Sequence, residues 1–132
     1  MPSPRFSFQH VGVVAADVAR LERFYTDVIG LEPIATPAAQ SAEMMGFSWL
    51  RLGEHELHVI ERSPDFAQRM GVSINPSLQP HFAVRIDDIE ALKRRLTAAG
   101  VEWIDWSRIG ISGLNQIFVR DPEGNVVEFE QF

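Results

Sequence analysis

Four side chains of this sequence have the types and the spacing of a metal site: His10, His58, His81 and Glu128. Each interrupts a run that is otherwise apolar and rich in β-branched or aromatic residues. Burying an unpaired carboxylate costs several kcal/mol, so Glu128 either faces solvent or has a partner able to hold it ionised. A lone strand histidine is more often a satisfied core or surface residue than a ligand. The spacing favours the other reading. His10 and His81 lie 71 positions apart, and His58 and Glu128 lie 70 apart. If equivalent positions of a repeat converge, three imidazoles and one carboxylate meet in one cavity. That set suits one borderline divalent ion such as Zn, Ni, Co, Mn or Fe. Four protein ligands on such an ion leave one or two positions for water or substrate, which suits catalysis. His55, in the Gly53-Glu54-His55 turn, does not share the spacing and is expected to be a solvated loop histidine.

The elements that must position these residues repeat as well. Phe6–Val14 is expected to be a strand, and Asp17 to cap a helix whose buried face is Val18, Leu21, Phe24, Tyr25 and Val28. Gly30 ends that helix, Leu31–Ala35 is a short strand candidate, and Thr36–Met45 is a loop. Phe47–Leu52 and Glu56–Glu61 form a hairpin. The pattern restarts at His81–Ile86, continues with a helix capped by Asp87 or Asp88 and carrying Ile89, Leu92 and Leu96, and stops at Gly100. Val101–Asp105 is a strand and Arg108–Leu114 a loop. A closing hairpin pairs Ile117–Val119 with Val126–Phe129 across Asp121–Asn125. Asp17 to Asp87 and Gly30 to Gly100 are both 70 positions. Four landmarks agreeing within one residue predict an internal repeat: an α+β fold of two tandem βαβββ units forming a cupped mixed sheet. The 132 residues are expected to be one domain, with unit one at about 6–62, a linker at about 63–80 carrying one helical turn near Phe66–Met70, and unit two at about 81–131.

Composition narrows the partners. Eighteen acidic against twelve basic residues give a net charge of −6, with no Lys/Arg cluster, which argues against nucleic acid and against an anionic membrane surface. There is no cysteine, so disulfides, thiolate metal sites and cysteine nucleophiles are excluded. No stretch has the apolar length of a signal peptide or a membrane span, and a cytoplasmic protein is expected.

Three stretches carry a resemblance: FQHVGVVAADVARLERFYTDVIGLEPI at Phe8–Ile34, PHFAVRIDDIEALKRRLTAAGVEWI at Pro80–Ile104 and FVRDPEGNVVEFE at Phe118–Glu130. Together they cover about half the chain, the DPEGN-x-x-E ending being the most specific piece. The chain resembles the vicinal-oxygen-chelate superfamily, which includes glyoxalase I, fosfomycin-resistance proteins, extradiol dioxygenases, methylmalonyl-CoA epimerase and bleomycin-binding proteins. In look it is closest to short glyoxalase I-like members. Carried over position by position, the family's metal ligands fall on His10, His58, His81 and Glu128, the residues the repeat had selected. The resemblance implies a divalent ion that chelates two neighbouring oxygens of a small-molecule substrate, in isomerase or lyase type chemistry, with Glu128 as base as well as ligand. A small extradiol-type dioxygenase and a non-catalytic binding or resistance protein are its alternatives. His58 stands where the glyoxalase I branch usually has an acid or amide, which moves the set towards two histidines and one carboxylate with an added histidine. The stretches VGVV and IATPAA lack the basic residues of glutathione-using members. Strand alternation places Glu56 beside His58 and Glu130 beside Glu128, and the resemblance turns Trp49, Gln116 and Phe118 towards the cavity. It also implies a homodimer with sites shared between subunits, His10 and His58 of one chain meeting His81 and Glu128 of the other.

Overall fold

The computed structural model describes residues 4–36, 46–107, 115–120, 122 and 124–131. The loop readings over 37–45 and 108–114 lie outside these, as do Asp121 and Glu123 of the closing turn. Strand β1 (Phe6–Ala15) leads into α1 (Val18–Arg23), which continues as a π-helical segment over Phe24–Ile29; β2 (Pro33–Ile34), β3 (Phe47–Leu52) and β4 (His55–Glu61) complete a first βαβββ unit. A short helix, α2 (Phe66–Met70), lies in the connection. The second unit is β5 (His81–Ile86), α3 (Ile89–Ala98), β6 (Trp103–Asp105), β7 (Asn115–Arg120) and β8 (Val126–Gln131). All eight strands form one mixed sheet in the order β2-β3-β4-β1-β5-β8-β7-β6. In each unit the first strand runs parallel to the last, β1 to β4 and β5 to β8, and the units meet where β1 runs antiparallel to β5. The α+β architecture expected from the repeat is the one observed.

That seam lies within one chain. His10 meets His81 and Glu128 of its own chain. The connection after β4 has its two ends tied together. Ser63 N donates to Ser77 Oγ, Asn75 Nδ2 donates to the Ser63 carbonyl, and Ser77 N donates to Asn75 Oδ1. These three buried polar residues satisfy one another, as buried polar groups must, and return the chain so that β5 lies beside β1.

Helices α1 and α3 both start on carboxylate caps, which satisfy backbone donors that a first helical turn leaves open. Asp17 accepts from Arg20 N, and Asp88 from Ala91 N. Asp87, the alternative cap, instead pairs with Arg5. The first helix was expected to run unbroken to Gly30. It widens at Phe24 so that the Gly30 and Leu31 amides both reach the Tyr25 carbonyl, and Gly30 closes it at φ 95°. No helix among the described residues is long and apolar enough to cross a membrane.

Two core clusters lie between the sheet and the helices: Ala15, Leu50, Leu57 and Val59 against α1, and Ile86, Ile89, Leu92, Ile117 and Val119 against α3. The third occupies the opposite face of unit two, where Phe66 and Ile74 from the connection pack on Trp106, Phe118 and Val126. The connection therefore fills the second unit's half of the inner face. His55 is not a solvated loop residue: it opens β4 and packs edge-on against Phe8, 4.9 Å between ring centres.

Candidate metal centre

Strand register brings the candidate residues into two adjacent rows on the inner face. Along one row, Glu56, His10, Ala83, Glu128 and Phe118 are successive cross-strand partners; along the next run Trp49, His58, Gly12 and His81. Alternation along each strand puts i and i+2 on the same face, so both rows look into one cavity. Gly12 and Ala83, themselves 71 positions apart, are the smallest residues in the rows. Each stands beside a histidine in its row and leaves room for that imidazole. The fit is closest at Gly12, where an added Cβ would lie 2.3 Å from His81 Cε1.

Three of the four predicted ligands converge. His10 Nε2 lies 3.3 Å from His81 Nε2, His81 Nε2 lies 3.3 Å from Glu128 Oε1, and His10 Nε2 lies 3.6 Å from Glu128 Oε1. All three residues are buried. Donors each about 2.1 Å from one ion are expected about 3 Å from one another, so the group fits a single cation. Its chemistry fits too. His10 Nδ1 is bonded to Gln9 Oε1, an acceptor, which places the ring proton on Nδ1 and leaves a lone pair on Nε2. That lone pair faces another imidazole nitrogen and a carboxylate oxygen, an arrangement that a cation satisfies. His81 Nδ1 is buried without a hydrogen-bond partner among the described residues.

His58 is not in that group. Its Nε2 bonds Glu56 Oε1 at 2.7 Å, and its ring is sandwiched between those of His10 and Trp49, at centroid separations of 3.6 and 4.4 Å. Burial, with His10 beside it, lowers the His58 pKa to about 4, despite the opposing pull of Glu56 and Glu128. The expected wall of the cavity is present in part. Trp49 and Glu56 are half-buried on the unit-one side. Gln116, opposite Glu130, is buried, as is Phe118, which contacts His81 edge-on while belonging to the core under Trp106.

The carboxylates divide their roles. Burial works to raise the Glu128 carboxyl, but its polar partners Glu130, His10 and His81 outweigh it and hold the group well below its ordinary range. Glu130 goes the other way: burial, then its hydrogen bond to Glu128, push it up to about 10. Glu128 is thus ionised beside a protonated Glu130 that donates to it, a separation of carboxyl pKa values typical of acid–base sites.

Two positioning residues were not found from the sequence. Gln9 and His10 are adjacent on β1, where successive side chains ordinarily point to opposite faces. An irregularity in the β1–β5 register between Phe8 and His10 removes that alternation and lets Gln9 reach the ring. Gly12 carries no chemistry of its own, and only its 71-residue spacing from Ala83 could have drawn attention to it.

Residues 7–129 match the family profile described as the Glyoxalase/Bleomycin resistance protein/Dioxygenase superfamily. The virulence protein STM3117 of Salmonella typhimurium is 22% identical over 130 residues, covering 93% of this chain and 82% of that protein. Among solved structures, hypothetical protein BH1468 from Bacillus halodurans superposes with a TM-score of 0.72 at 20% identity, covering 96% of this chain and 94% of the other. Methylmalonyl-CoA epimerase from Mycobacterium tuberculosis superposes with a TM-score of 0.70 at 19% identity, covering 94% and 86%. At these identities the superpositions speak for the fold.

Proposed function

The chain belongs to the Glyoxalase/Bleomycin resistance protein/Dioxygenase superfamily, and on that premise we propose that it is a divalent-metal-dependent enzyme acting on a small oxygenated substrate through two neighbouring oxygens, with isomerase or lyase type chemistry. The observation that carries this reading is the meeting of His10 Nε2, His81 Nε2 and Glu128 Oε1, all within 4.8 Å of one another on buried residues. Those three residues would hold the ion. When bound, a divalent ion polarises substrate oxygens and stabilises developing negative charge. Glu128, the only carboxylate of the three, serves as ligand and as base. Glu130, hydrogen-bonded to it, holds a proton within reach of Glu128. Trp49 and Glu56 border the substrate on the unit-one side, and Gln116 and Phe118 buttress the opposite wall. The presence of methylmalonyl-CoA epimerases among the fold neighbours is in keeping with the isomerase form.

One observation favours a second reading. Two histidines and one carboxylate with open positions form the ligand set of non-haem iron oxygenases, so a small extradiol-type dioxygenase is the alternative. In either form the protein is a cytoplasmic homodimer in which each chain carries its own metal group.

The test is metal content after purification without chelator, for the parent, His10→Ala and Glu128→Ala. The reading expects metal in the parent and its loss in both variants; equal metal in all three contradicts it. Catechols with dioxygen, α-ketoaldehydes and epimerisable acyl thioesters, presented to the loaded protein, separate the two chemistries. Tight binding of a substrate without turnover makes the protein a binder.

A further inference from the structure

The two units are equivalent in topology but treat their fourth-strand polar residues differently. Glu128 turns into the metal group, while its equivalent His58 turns away from it. The residue two positions earlier in each strand differs in kind: Glu56 in β4, Val126 in β8, themselves 70 positions apart. Residues i and i+2 of a strand share a face, so Glu56 stands beside His58 and takes its Nε2 at 2.7 Å. A carboxylate only accepts there, so that nitrogen carries a proton and has no lone pair to offer an ion. Val126 makes no such claim on Glu128. The stack of His58 between Trp49 and His10, with interplanar angles of 7° and 21°, holds the ring in this orientation.

Resting on the metal reading above, we propose that Glu56 is a positioning residue that keeps His58 off the metal, so that the ion has three protein ligands and its remaining positions stay open to substrate. His58 is then a wall of the cavity and a support for the His10 ring. Removing the Glu56 carboxylate releases His58 to become a third imidazole ligand.

The probe is Co(II) alone, added to metal-free protein and read by visible absorption, by affinity against a competing chelator and by the imidazole count from X-ray absorption. The parent and His58→Phe, which keeps a flat ring in the stack, are expected to give the same spectrum, with affinities within about tenfold, the lower limit for losing a supporting contact. Glu56→Val, which copies the unit-two residue, is expected to intensify and shift the cobalt bands and to raise the imidazole count from two to three. Adding His58→Phe to Glu56→Val is expected to restore the parent spectrum. A His58→Phe protein that loses an imidazole from the parent count overturns the proposal, because His58 is then already a ligand. So does a Glu56→Val protein with the parent spectrum. His10→Ala separates the two claims: if it binds Co(II) as the parent does, the metal reading itself fails and the proposal falls with it.

Discussion

The imidazole of His81 lies against the α-carbon of Gly12, its cross-strand partner at the seam between the two units. No residue with a side chain fits there while the ring stays in place, because a Cβ would stand 2.3, 2.7 and 2.8 Å from three ring atoms. Gly12 is not among the glycines with positive φ, so the requirement is space and not backbone conformation.

Gly12→Ala is therefore expected to tilt His81 out of the group while the chain still folds. Overpacking of this kind costs typically about 1–3 kcal/mol. Chelator competition should show a loss of metal affinity larger than the loss of stability accounts for. An alanine variant that binds metal as the parent does would mean that the ring has room to move aside.

Gln9 holds the His10 ring from the side opposite the metal group. Losing such a contact typically lowers metal affinity about 10–100-fold, and Gln9→Leu is expected to fall in that range with little change in melting temperature before metal is added. Titration calorimetry with the parent's native metal checks this. Unchanged affinity would make the contact incidental.

His58 gives the metal-free protein a defined acid sensitivity. Its folded pKa of about 4 lies below the ordinary 6.5, so between these values the unfolded chain binds a proton that the folded chain refuses. Stability from this group is complete above 6.5 and is lost as pH falls towards 4, by about 3 kcal/mol over the full interval. Subtracting the urea-derived stability profile of His58→Phe from that of the parent should isolate this slope. A flat difference across that window would mean His58 titrates normally in the fold.

Phe66 seals the unit-two half of the inner face, fully buried with its ring 5.6 Å from that of Trp106. Truncation to alanine in such a site costs about 3–5 kcal/mol. Phe66→Ala is expected to lower the denaturation midpoint accordingly in the metal-free protein. A loss under about 1 kcal/mol would show that the connection is not seated on Trp106 and Phe118.

Much of this is legible in the sequence alone. The spacings of 70 and 71 residues named the two units and paired His10 with His81 and His58 with Glu128, because a duplicated unit must repeat its landmarks in order. Strand period two put Glu56 with His58 and Glu130 with Glu128, because alternation is a property of the extended backbone itself. The carboxylate caps and the apolar face of α3 were equally local, but on the first helix Phe24 and Val28, expected on the buried face, are exposed. The widening of the first helix at Phe24 and the early start of β4 at His55 were not legible, because they depend on packing that propensity does not encode.

Which equivalent residues meet was decided only by the tertiary structure. Spacing treats His58 and Glu128 alike, yet one contact, Glu56 to His58, separates them. The sequence shows that the two residues share a face but not that they bond. The antiparallel register at the β1–β5 seam brings the His10 and His81 rings together over Ala83 and Gly12, and that register depends on a connection folding back through Ser63, Asn75 and Ser77. Gln9 came into play only because the register slips beside it. The sequence by itself determined the repeat and the kinds of side chain that face the cavity, since both follow from local periodicity. The number of side chains that reach one point rests on long-range register and on competing hydrogen bonds, which exist only once the strands are paired.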